Sequence, residues 1–174
     1  AKPYSVSFWV NPQTLANQRR LFCFGDNAGG AREMRIYGTA GRISTSAASS
    51  NLYATTTGNV LSVGTWAHVV VTFPGSTGSP PTIYVNASAA ATSTGAGNPA
   101  AALSTSGLTI AAIPTSGTRS NFAHVYMCDF AVWDKALTPT EITEIYGITG
   151  KRVYLSETTC ASNLLSWWRM GSDP

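Results

Sequence analysis

The strongest constraint on the fold is a strict alternation of apolar residues in short stretches of the chain. In WAHVVVTF, residues 66–73, every second residue from Ala67 onward is apolar, which places these side chains on one face of an extended strand. TIYVN, residues 82–86, follows a loop that contains Gly and Pro and predicts the second strand of a hairpin. Residues 4–11, YSVSFWVN, alternate in the same way. These stretches indicate a protein built from β-strands.

Six further runs are short and bounded by Gly, Pro, Asn or Ser, and they also predict strands: Leu21–Gly25, Glu33–Tyr37, Arg42–Thr45, Leu52–Thr56, Leu108–Ile113 and Ala123–Trp133. Residues 87–107 are rich in Ala, but Gly95, Gly97 and Pro99 would break a helix. We expect an extended loop or an irregular edge strand there, with a hydroxyl-rich linker as the alternative. Strands do not alternate with helices, so the predicted fold is all-β, an antiparallel two-sheet jelly-roll sandwich.

One short helix is predicted near the C-terminal part of the chain. Thr138-Pro139-Thr140-Glu141 places a Thr at the N-cap, a Pro in the first turn and a Glu at the position that closes a capping box. Apolar residues at helical spacing follow, and Gly147 ends the segment. Glu141 and Glu144 suit the positive N-terminal end of this helix, so we interpret them as structural rather than catalytic.

Composition excludes several functions. The net charge of +3 is spread along 174 residues, too little for a nucleic-acid binder, which needs clustered cations. No apolar run approaches the ~20 residues that span a bilayer. The length favours one domain, residues 1–174. Three cysteines cannot all pair within the chain, so free buried thiols are predicted. The N-terminus has no apolar signal-peptide core, and we expect synthesis in a cytosol.

Several segments resemble a known family. GTWAHVVVTF with TIYVN, then CDFAVWDKALTPTEITEIYG, and the early YSVSFWVNP are similar to strands and the closing helix of laminin G-like domains in the concanavalin A-like lectin/glucanase superfamily. These segments occur in order across residues 4–147. The resemblance implies the two-sheet sandwich but does not define a function, because lectins, glycosidases, adhesion modules and virion proteins all use this fold.

The C-terminal stretch NLLSWWRMG, residues 163–171, resembles a tryptophan-bearing strand that family members carry near the start of the domain. Three arrangements are open: a permuted strand order, a strand donated to a neighbouring subunit, or a tail with another role. Trp167 and Trp168 would point to opposite faces of a strand. Since at least one indole should be buried, residues 163–170 are predicted to form a strand.

Carboxylates are scarce for catalysis. The glycosidases of this superfamily place an acid and a nucleophile about 5–5.5 Å apart, which two residues on one strand face can provide. None of the eight acidic residues forms such a pair. His68 and His124 lie outside any nucleophile motif and are interpreted as structural. We therefore predict that the protein is not an enzyme and has no catalytic residues.

Two kinds of ligand site remain candidates. Asp26 and Asn27, at the start of a Gly-rich loop, could contribute to a calcium site, although turn formation is the commoner role of such residues and no metal site is predicted. Calcium is the sole candidate cofactor. Sugar binding needs an exposed aromatic ring beside polar groups, and Tyr37 and Tyr53 are candidates for that role.

Arginines concentrate in the first quarter of the chain, and Arg is enriched at protein interfaces. The predicted interface residues are Arg19, Arg20, Arg32, Arg35, Trp167 and Trp168. Combined with a low-charge surface rich in Ser, Thr and Ala, they favour a structural module of a large assembly, most plausibly a virion. The expected partners are a capsid or tail protein and copies of the chain itself, as in a bacteriophage decoration protein. The alternative is a glycan-binding adhesion or receptor-binding module that recognises surface glycans.

Overall fold

The computed structural model describes residues 2–25, 32–47, 51–75, 79–94, 107–115, 118–147 and 153–171. In these residues the chain forms fourteen strands, one α-helix and two short 3-10 turns. The strands are β1 Tyr4–Pro12, β2 Arg20–Phe24, β3 Arg32–Tyr37, β4 Arg42–Ala47, β5 Asn51–Thr56, β6 Ala67–Phe73, β7 Thr82–Val85, β8 Ser88–Ala89, β9 Thr92–Thr94, β10 Leu108–Ile110, β11 Ile113–Thr115, β12 Thr118–Ser120, β13 Val125–Trp133 and β14 Leu164–Trp168. The helix α1 is Pro139–Tyr146, and the 3-10 turns are Leu155–Glu157 and Ala161–Asn163. No helix of the described ranges is long and apolar enough to cross a membrane.

Two six-stranded sheets form the sandwich. Sheet A has the order β14-β13-β1-β6-β7-β8, and sheet B has the order β10-β2-β3-β4-β5-β9. Strands β11 and β12 form a separate hairpin. Neighbouring strands within both sheets are antiparallel. The predicted all-β two-sheet sandwich with one short helix is confirmed.

The main core lies between the two sheets and is lined by every second residue of the alternating stretches. Val6 and Phe8 of β1 and Val69 of β6 are fully buried there. Phe8 meets Phe22 of sheet B edge to face, with ring centroids 5.9 Å apart. Burying each such side chain contributes about 1.5–3 kcal/mol on transfer data, which is why the alternation dominates the fold.

A second apolar cluster covers the outer face of sheet A. Helix α1 and the 3-10 turns fold across this face and bury Trp133 together with Ile142 and Leu155. The predicted capping box is present, since the Thr138 hydroxyl accepts from the Glu141 N–H and the Glu141 carboxylate accepts from the Thr138 N–H. Because this one α-helix of the described residues packs on sheet A, the two sheets differ in what covers their outer faces.

Strand β14 belongs to the chain's own sheet A. It pairs antiparallel with β13, with Trp167 opposite Ala131 and Trp168 opposite Phe130. Within the predicted stretch 163–170 the structure has a strand over Leu164–Trp168, and this strand pairs with β13 of the same chain. The two tryptophans point to opposite faces, as the strand geometry requires.

Two local features differ from or complete the sequence-based expectations. The strand predicted over Leu108–Ile113 is broken, because Ala111 adopts a positive φ of 59° and its N–H donates to the Leu21 carbonyl. Within the segment 87–107, β8 and β9 form short edge strands, while residues 95–106 lie outside the described ranges. The cysteines Cys23, Cys128 and Cys160 are buried thiols, as predicted.

Candidate binding face on sheet B

A row of polar side chains crosses the outer face of sheet B. Residues directly opposite each other in an antiparallel sheet share a face. Arg20 lies opposite Arg35, which lies opposite Ser44, and Ser44 lies opposite Thr55. Thr55 is in turn opposite Ser93 on β9. We call these five residues the polar row; it spans five strands, about 19 Å at ~4.8 Å per strand step.

The arginines of the polar row share one carboxylate. Arg20 Nε lies 2.7 Å from Glu33 Oε2, and Arg35 Nη1 lies 3.4 Å from Glu33 Oε1. Arg20 Nη1 also donates to the Gln18 carbonyl at 2.5 Å, and Arg35 Nε donates to the Ser44 hydroxyl at 3.2 Å. All three charged side chains are buried. Two guanidiniums against one carboxylate leave this trio with an excess of one positive charge.

The electrostatics of Arg35 reflect that imbalance. Burial lowers the pKa of Arg35 first, because a charged guanidinium loses its hydration, and the neighbouring Arg20 lowers it further. Glu33 acts in the opposite direction and raises it. The net direction is downward, so one carboxylate does not fully offset the burial of the second guanidinium. An oxygen-rich or anionic group near Arg35 would be favourable.

Thr55 has an unused hydroxyl in the same row. Its side chain is only 4% exposed, and its Oγ1 makes no hydrogen bond within the part of the chain that the structure describes. A buried hydroxyl without a partner costs roughly 1–3 kcal/mol. Neighbouring Ser44 accepts from Arg35, so arginine donors stand next to hydroxyl groups along the row.

The accessible margin of this face is formed by Tyr37 and Arg42. They lie opposite each other at the ends of β3 and β4, on the same face as Arg35, and both are half-buried. The Arg42 guanidinium carbon lies 5.3 Å from the centroid of the Tyr37 ring, a cation–π contact. Arg42 Nε donates to the Thr56 carbonyl at 2.6 Å, which holds the guanidinium in place. Ser93, at the far end of the polar row, is exposed.

Of the four predicted ligand residues, the structure describes the side chain of Tyr37 alone. Tyr37 lies beside the polar row. Tyr53 lies on β5, but its side chain is outside the described part of the structure, and so are Asp26 and Asn27. Among described residues, no three His, Cys, Asp or Glu side chains form a group that could hold a metal ion. A calcium site at Asp26 and Asn27 therefore stays a prediction.

Three of the four predicted interface arginines are buried rather than exposed. Arg20, Arg32 and Arg35 are 3%, 2% and 4% exposed, so they do not form the open cationic surface that an interface would need. Arg20 and Arg35 are buried because both pair with the buried Glu33 carboxylate on the same face of the sheet. Arg19 is half-buried in the loop before β2, where its carbonyl accepts from the Ile36 N–H.

The two predicted interface tryptophans have different environments. Trp167 is half-buried, packs against the second cluster, and its indole N–H donates to Asp129 Oδ1 at 3.1 Å. Trp168 is 42% exposed, and its ring centroid lies 6.0 Å from that of Phe130. The interface assignment of these residues stays a prediction, and Trp168 is the one with substantial accessible surface.

Sequence reasoning missed most residues of the binding face. In the sequence Glu33 is one of eight acids and Arg42 is one of the arginines in the first quarter of the chain, and neither these two nor Ser44 and Thr55 are singled out as site residues. A usable signal was present in REMRIY, residues 32–37, where Glu33, Arg35 and Tyr37 alternate with apolar residues and so share one strand face. The partners on β4 and β5 carry no such signal, because register between strands is not written in local periodicity.

Other acids make structural contacts. Glu141 closes the helix cap and lies 2.6 Å from Lys135 Nζ. Partial burial raises the pKa of the Glu141 carboxyl, but hydrogen bonds from Lys135 and Thr138 outweigh this effect and leave the pKa lowered. Glu144 accepts from the backbone N–H of Thr159 at 2.9 Å. The predicted role of Glu141 in the helix cap is confirmed, and Glu144 links the helix to the segment at Thr159.

The fold and this face can be set beside known proteins. Residues 1–143 match the family model of the concanavalin A-like lectin/glucanases superfamily. The chain belongs to this superfamily. Strand β14 lies beyond the matched residues. No curated protein sequence matches the chain.

Solved structures share the fold at low sequence identity. Domain 4 of an extracellular arabinanase of Geobacillus stearothermophilus, in complex with arabinotriose, has 17% identity and a TM-score of 0.61, over 84% of this chain and 67% of that one. The CBM40 module of the Ruminococcus gnavus IT-sialidase, bound to α2,3-sialyllactose, has 11% identity and a TM-score of 0.65, over 84% and 83%. A candidate carbohydrate-binding protein of Bacteroides ovatus has 17% identity and a TM-score of 0.66, over 99% of this chain. This chain spans 47% of that protein, less than half of its length.

Proposed function

We propose that the protein is a non-catalytic glycan-binding module that holds its sugar on the outer face of sheet B. The observation that carries the proposal is the polar row, which sets arginine and hydroxyl groups in line across five strands and includes a Thr55 hydroxyl that has no hydrogen-bond partner among the described residues. Sugars present closely spaced hydroxyls that both donate and accept. A row of fixed donors and acceptors is therefore complementary to them.

Tyr37 and Arg42, at the accessible margin of the face, supply an aromatic ring and further hydrogen-bond donors. Tyr37 offers an aromatic surface for the apolar face of a pyranose or furanose ring. Arg42, held against Tyr37 and tied to the Thr56 carbonyl, offers further N–H donors. Tyr37, Arg42 and Ser93 are the residues of this face with accessible surface, so they would make the first contacts with a ligand. The charge excess around Arg35 favours oxygen atoms of the ligand at that point.

Proteins of the same fold support this proposal over an assembly role. The arabinanase domain was solved with arabinotriose and the CBM40 module with a sialyl sugar. Nothing in the described structure points to a capsid or tail partner, and the interface arginines that favoured one are mostly buried. Capsid or tail partners and a virion location remain predictions without a structural observation behind them.

The test is binding in solution. The purified protein is screened on a glycan array, and the best ligand is then measured by calorimetry against Tyr37→Ala, Arg42→Gln and a matched control, Tyr126→Ala. Tyr126 is 61% exposed and lies on sheet A, away from the proposed site. We expect each site variant to weaken binding about tenfold or more, equivalent to ~1.4 kcal/mol, and the control to bind normally. Failure to bind any glycan, or equal binding by all variants, would contradict the proposal.

A further inference from the structure

Two exposed aromatic rings flank one asparagine on the outer face of sheet A. Tyr126 on β13 lies opposite Asn11 on β1, and Ala67, the first residue of β6, lies opposite Val10. Trp66 directly precedes Ala67, so the next position along this pairing sets Trp66 beside Asn11. Val10, Ala67 and both sequence neighbours of Tyr126 pack in or against the main core, so strand alternation turns the residues next to them outward. We call Tyr126, Asn11 and Trp66 the aromatic row.

Both rings of the aromatic row are open to solvent. Trp66 is 44% exposed and Tyr126 is 61% exposed. Helix α1 covers the neighbouring part of this face, and its last residue, Tyr146, stacks on Trp9 with ring centroids 5.7 Å apart. Trp9 lies two residues before Asn11 on β1, so this contact stops short of the aromatic row. Large aromatic side chains that stay exposed beside a covered surface are typical of a binding site.

The spacing of the two rings suits a chain of sugar units. Tyr126 and Trp66 stand two strand steps apart, about 10 Å at ~4.8 Å per step. That distance corresponds to two consecutive pyranose units of an extended polysaccharide, so every second sugar can lie flat on a ring. The apolar face of a pyranose packs on an aromatic face while its hydroxyls point sideways. The sugar between the two stacked units would then lie over Asn11.

The floor between the rings is polar and is held in place by hydrogen bonds. Asn11 Nδ2 donates to the Gly64 carbonyl at 3.3 Å, and Asn11 Oδ1 accepts from Gln13 Nε2 at 2.9 Å. Gln13 is half-buried, and its Oε1 has no hydrogen-bond donor among the described residues. This oxygen is therefore an acceptor for a hydroxyl of the middle sugar.

We propose that the aromatic row is a carbohydrate site separate from the polar row, and that it binds an extended, uncharged polysaccharide along the line from Tyr126 to Trp66. No residue of the aromatic row is charged. Its nearest same-face neighbours along the three strands include no Lys, Arg, Asp or Glu either: Trp9, Gln13, His68, His124 and Cys128. A neutral ligand therefore fits, because an acidic or basic polymer would find no opposite charge at these positions.

The area of the aromatic row favours a thin chain over a protein partner. At 150–250 Å² for a whole aromatic side chain, the exposed parts of the two rings offer roughly 150–250 Å² together. A stable protein–protein complex takes about 800 Å² from each partner. A single polysaccharide chain needs only a narrow strip, because each stacked sugar contacts one ring.

The experiment measures adsorption of the purified chain to three insoluble neutral polysaccharides: cellulose, chitin and mannan. The variants are Trp66→Ala and Tyr126→Ala, and Trp168→Ala is the matched control, because Trp168 is 42% exposed and lies on β14. We expect each variant of the aromatic row to weaken adsorption about tenfold with an unchanged melting temperature, and the control to adsorb normally. Trp66→Phe and Tyr126→Phe keep a ring and should retain most of the affinity.

Three outcomes overturn the proposal. The first is a wild-type chain that adsorbs to none of the three polysaccharides. The second is adsorption that either alanine variant of the aromatic row leaves unchanged. The third is adsorption that sodium chloride abolishes, because salt screens ionic contacts and a neutral ligand makes none.

The aromatic row and the polar row lie on different sheets, so the two proposals can fail separately. Tyr37→Ala, which should weaken the soluble ligand of sheet B, is expected to adsorb normally to the insoluble polysaccharide. Loss of adsorption in Tyr37→Ala would assign the polysaccharide to sheet B and overturn the site on sheet A. Adsorption that is lost only in the variants of the aromatic row, with an array ligand unaffected by Tyr37→Ala, would support this site and contradict the one on sheet B.

Discussion

Ser5 and Leu137 are joined by a buried hydrogen bond: the Ser5 hydroxyl accepts from the Leu137 N–H at 3.0 Å. The same hydroxyl donates to the Lys135 carbonyl at 2.8 Å. Ser5 is the second residue of β1, and Leu137 precedes helix α1, so two segments that are far apart in the sequence meet at one side chain. This contact fixes the segment that enters the helix against the outer face of sheet A.

Replacing Ser5 with Ala should destabilise the fold measurably. The change leaves a buried N–H and a carbonyl without their partner, and an unsatisfied buried group costs roughly 1–3 kcal/mol. The free energy of unfolding from urea denaturation is the measurement. Ser62→Ala at an exposed position is the control and should change it by no more than about 0.5 kcal/mol. Equal stability of the two variants would show that the contact contributes nothing.

Two glycines with positive φ should respond differently to the same substitution. Gly41 has φ 91°, and a Cβ there would overlap the carbonyl oxygen of Leu61, whose N–H donates to the Gly41 carbonyl at 3.0 Å. Gly38 has φ 74° with open space around its Cβ position. Gly38→Ala should cost about 1–2 kcal/mol from backbone strain alone. Gly41→Ala should cost clearly more or prevent folding, as thermal denaturation of both variants would show; similar melting temperatures would contradict the overlap.

The carboxylate of Glu33 should matter more than any exposed acid. Glu33→Gln removes the charge that Arg20 and Arg35 share and leaves two guanidiniums buried without it. Breaking a buried ion pair in this way typically costs about 3–5 kcal/mol. Glu157→Gln, at an exposed position, is the control and should leave the unfolding free energy unchanged. If Glu33→Gln is as stable as the control, the carboxylate does not offset the arginine charges.

His68 should make the fold sensitive to mild acid. Its ring packs against Trp9 and Tyr146, with centroids 5.1 Å and 5.8 Å away, and its Nδ1 has no hydrogen-bond partner in the described structure. Burial lowers the pKa of His68 from 6.5 to about 3. Between these values the unfolded chain binds a proton that the folded chain does not.

The stability contribution of neutral His68 is therefore complete above pH 6.5 and is lost as the pH falls toward about 3. The slope approaches ~1.4 kcal/mol per pH unit for one proton. Urea denaturation between about pH 5 and pH 7.5 isolates this effect, because most carboxylates stay ionised in that range. His68→Phe should flatten the profile and the exposed control His124→Gln should not. A wild-type profile already flat in this range would refute the burial argument.

Trp167 should contribute more to stability than its neighbour. Trp167 is half-buried and donates to Asp129, whereas Trp168 is 42% exposed. Truncating a fully buried Trp to Ala costs about 3–5 kcal/mol, so a half-buried one should cost roughly half of that. Trp168→Ala, the matched variant on the other face of β14, should cost less. The melting temperatures of the two variants rank the two tryptophans. A larger loss for Trp168→Ala would show that the face of β14 on the side of Phe130 contributes more to the stability of the fold.

Much of the fold could be predicted because its signals are local. The alternation in β1 and β6 follows directly from which residues face the core, and the capping box at Thr138 and Glu141 is complete within four residues. In β1 the alternation predicts the correct faces, since Val6 and Phe8 line the main core while Ser5 and Trp9 face the other way.

The candidate site could be predicted only in part, because it is assembled across strands. Tyr37 was identified from its residue type, but Ser44 and Thr55 join it through the pairing of β3 with β4 and β4 with β5. The arginines were expected at the surface, yet Arg20 and Arg35 are buried around Glu33. No property of an isolated arginine shows whether a carboxylate from the neighbouring strand will reach it.

By itself the sequence determined the strand periodicity, the single capped helix and the scarcity of carboxylates, since each depends on residue type and on neighbours a few positions away. Only the tertiary structure decided that helix α1 covers sheet A, that a polar row forms on sheet B and that β14 occupies an edge. Periodicity states which side chains share a face of one strand. It does not state which strand lies alongside or what covers that face, because those depend on contacts between residues far apart in the chain.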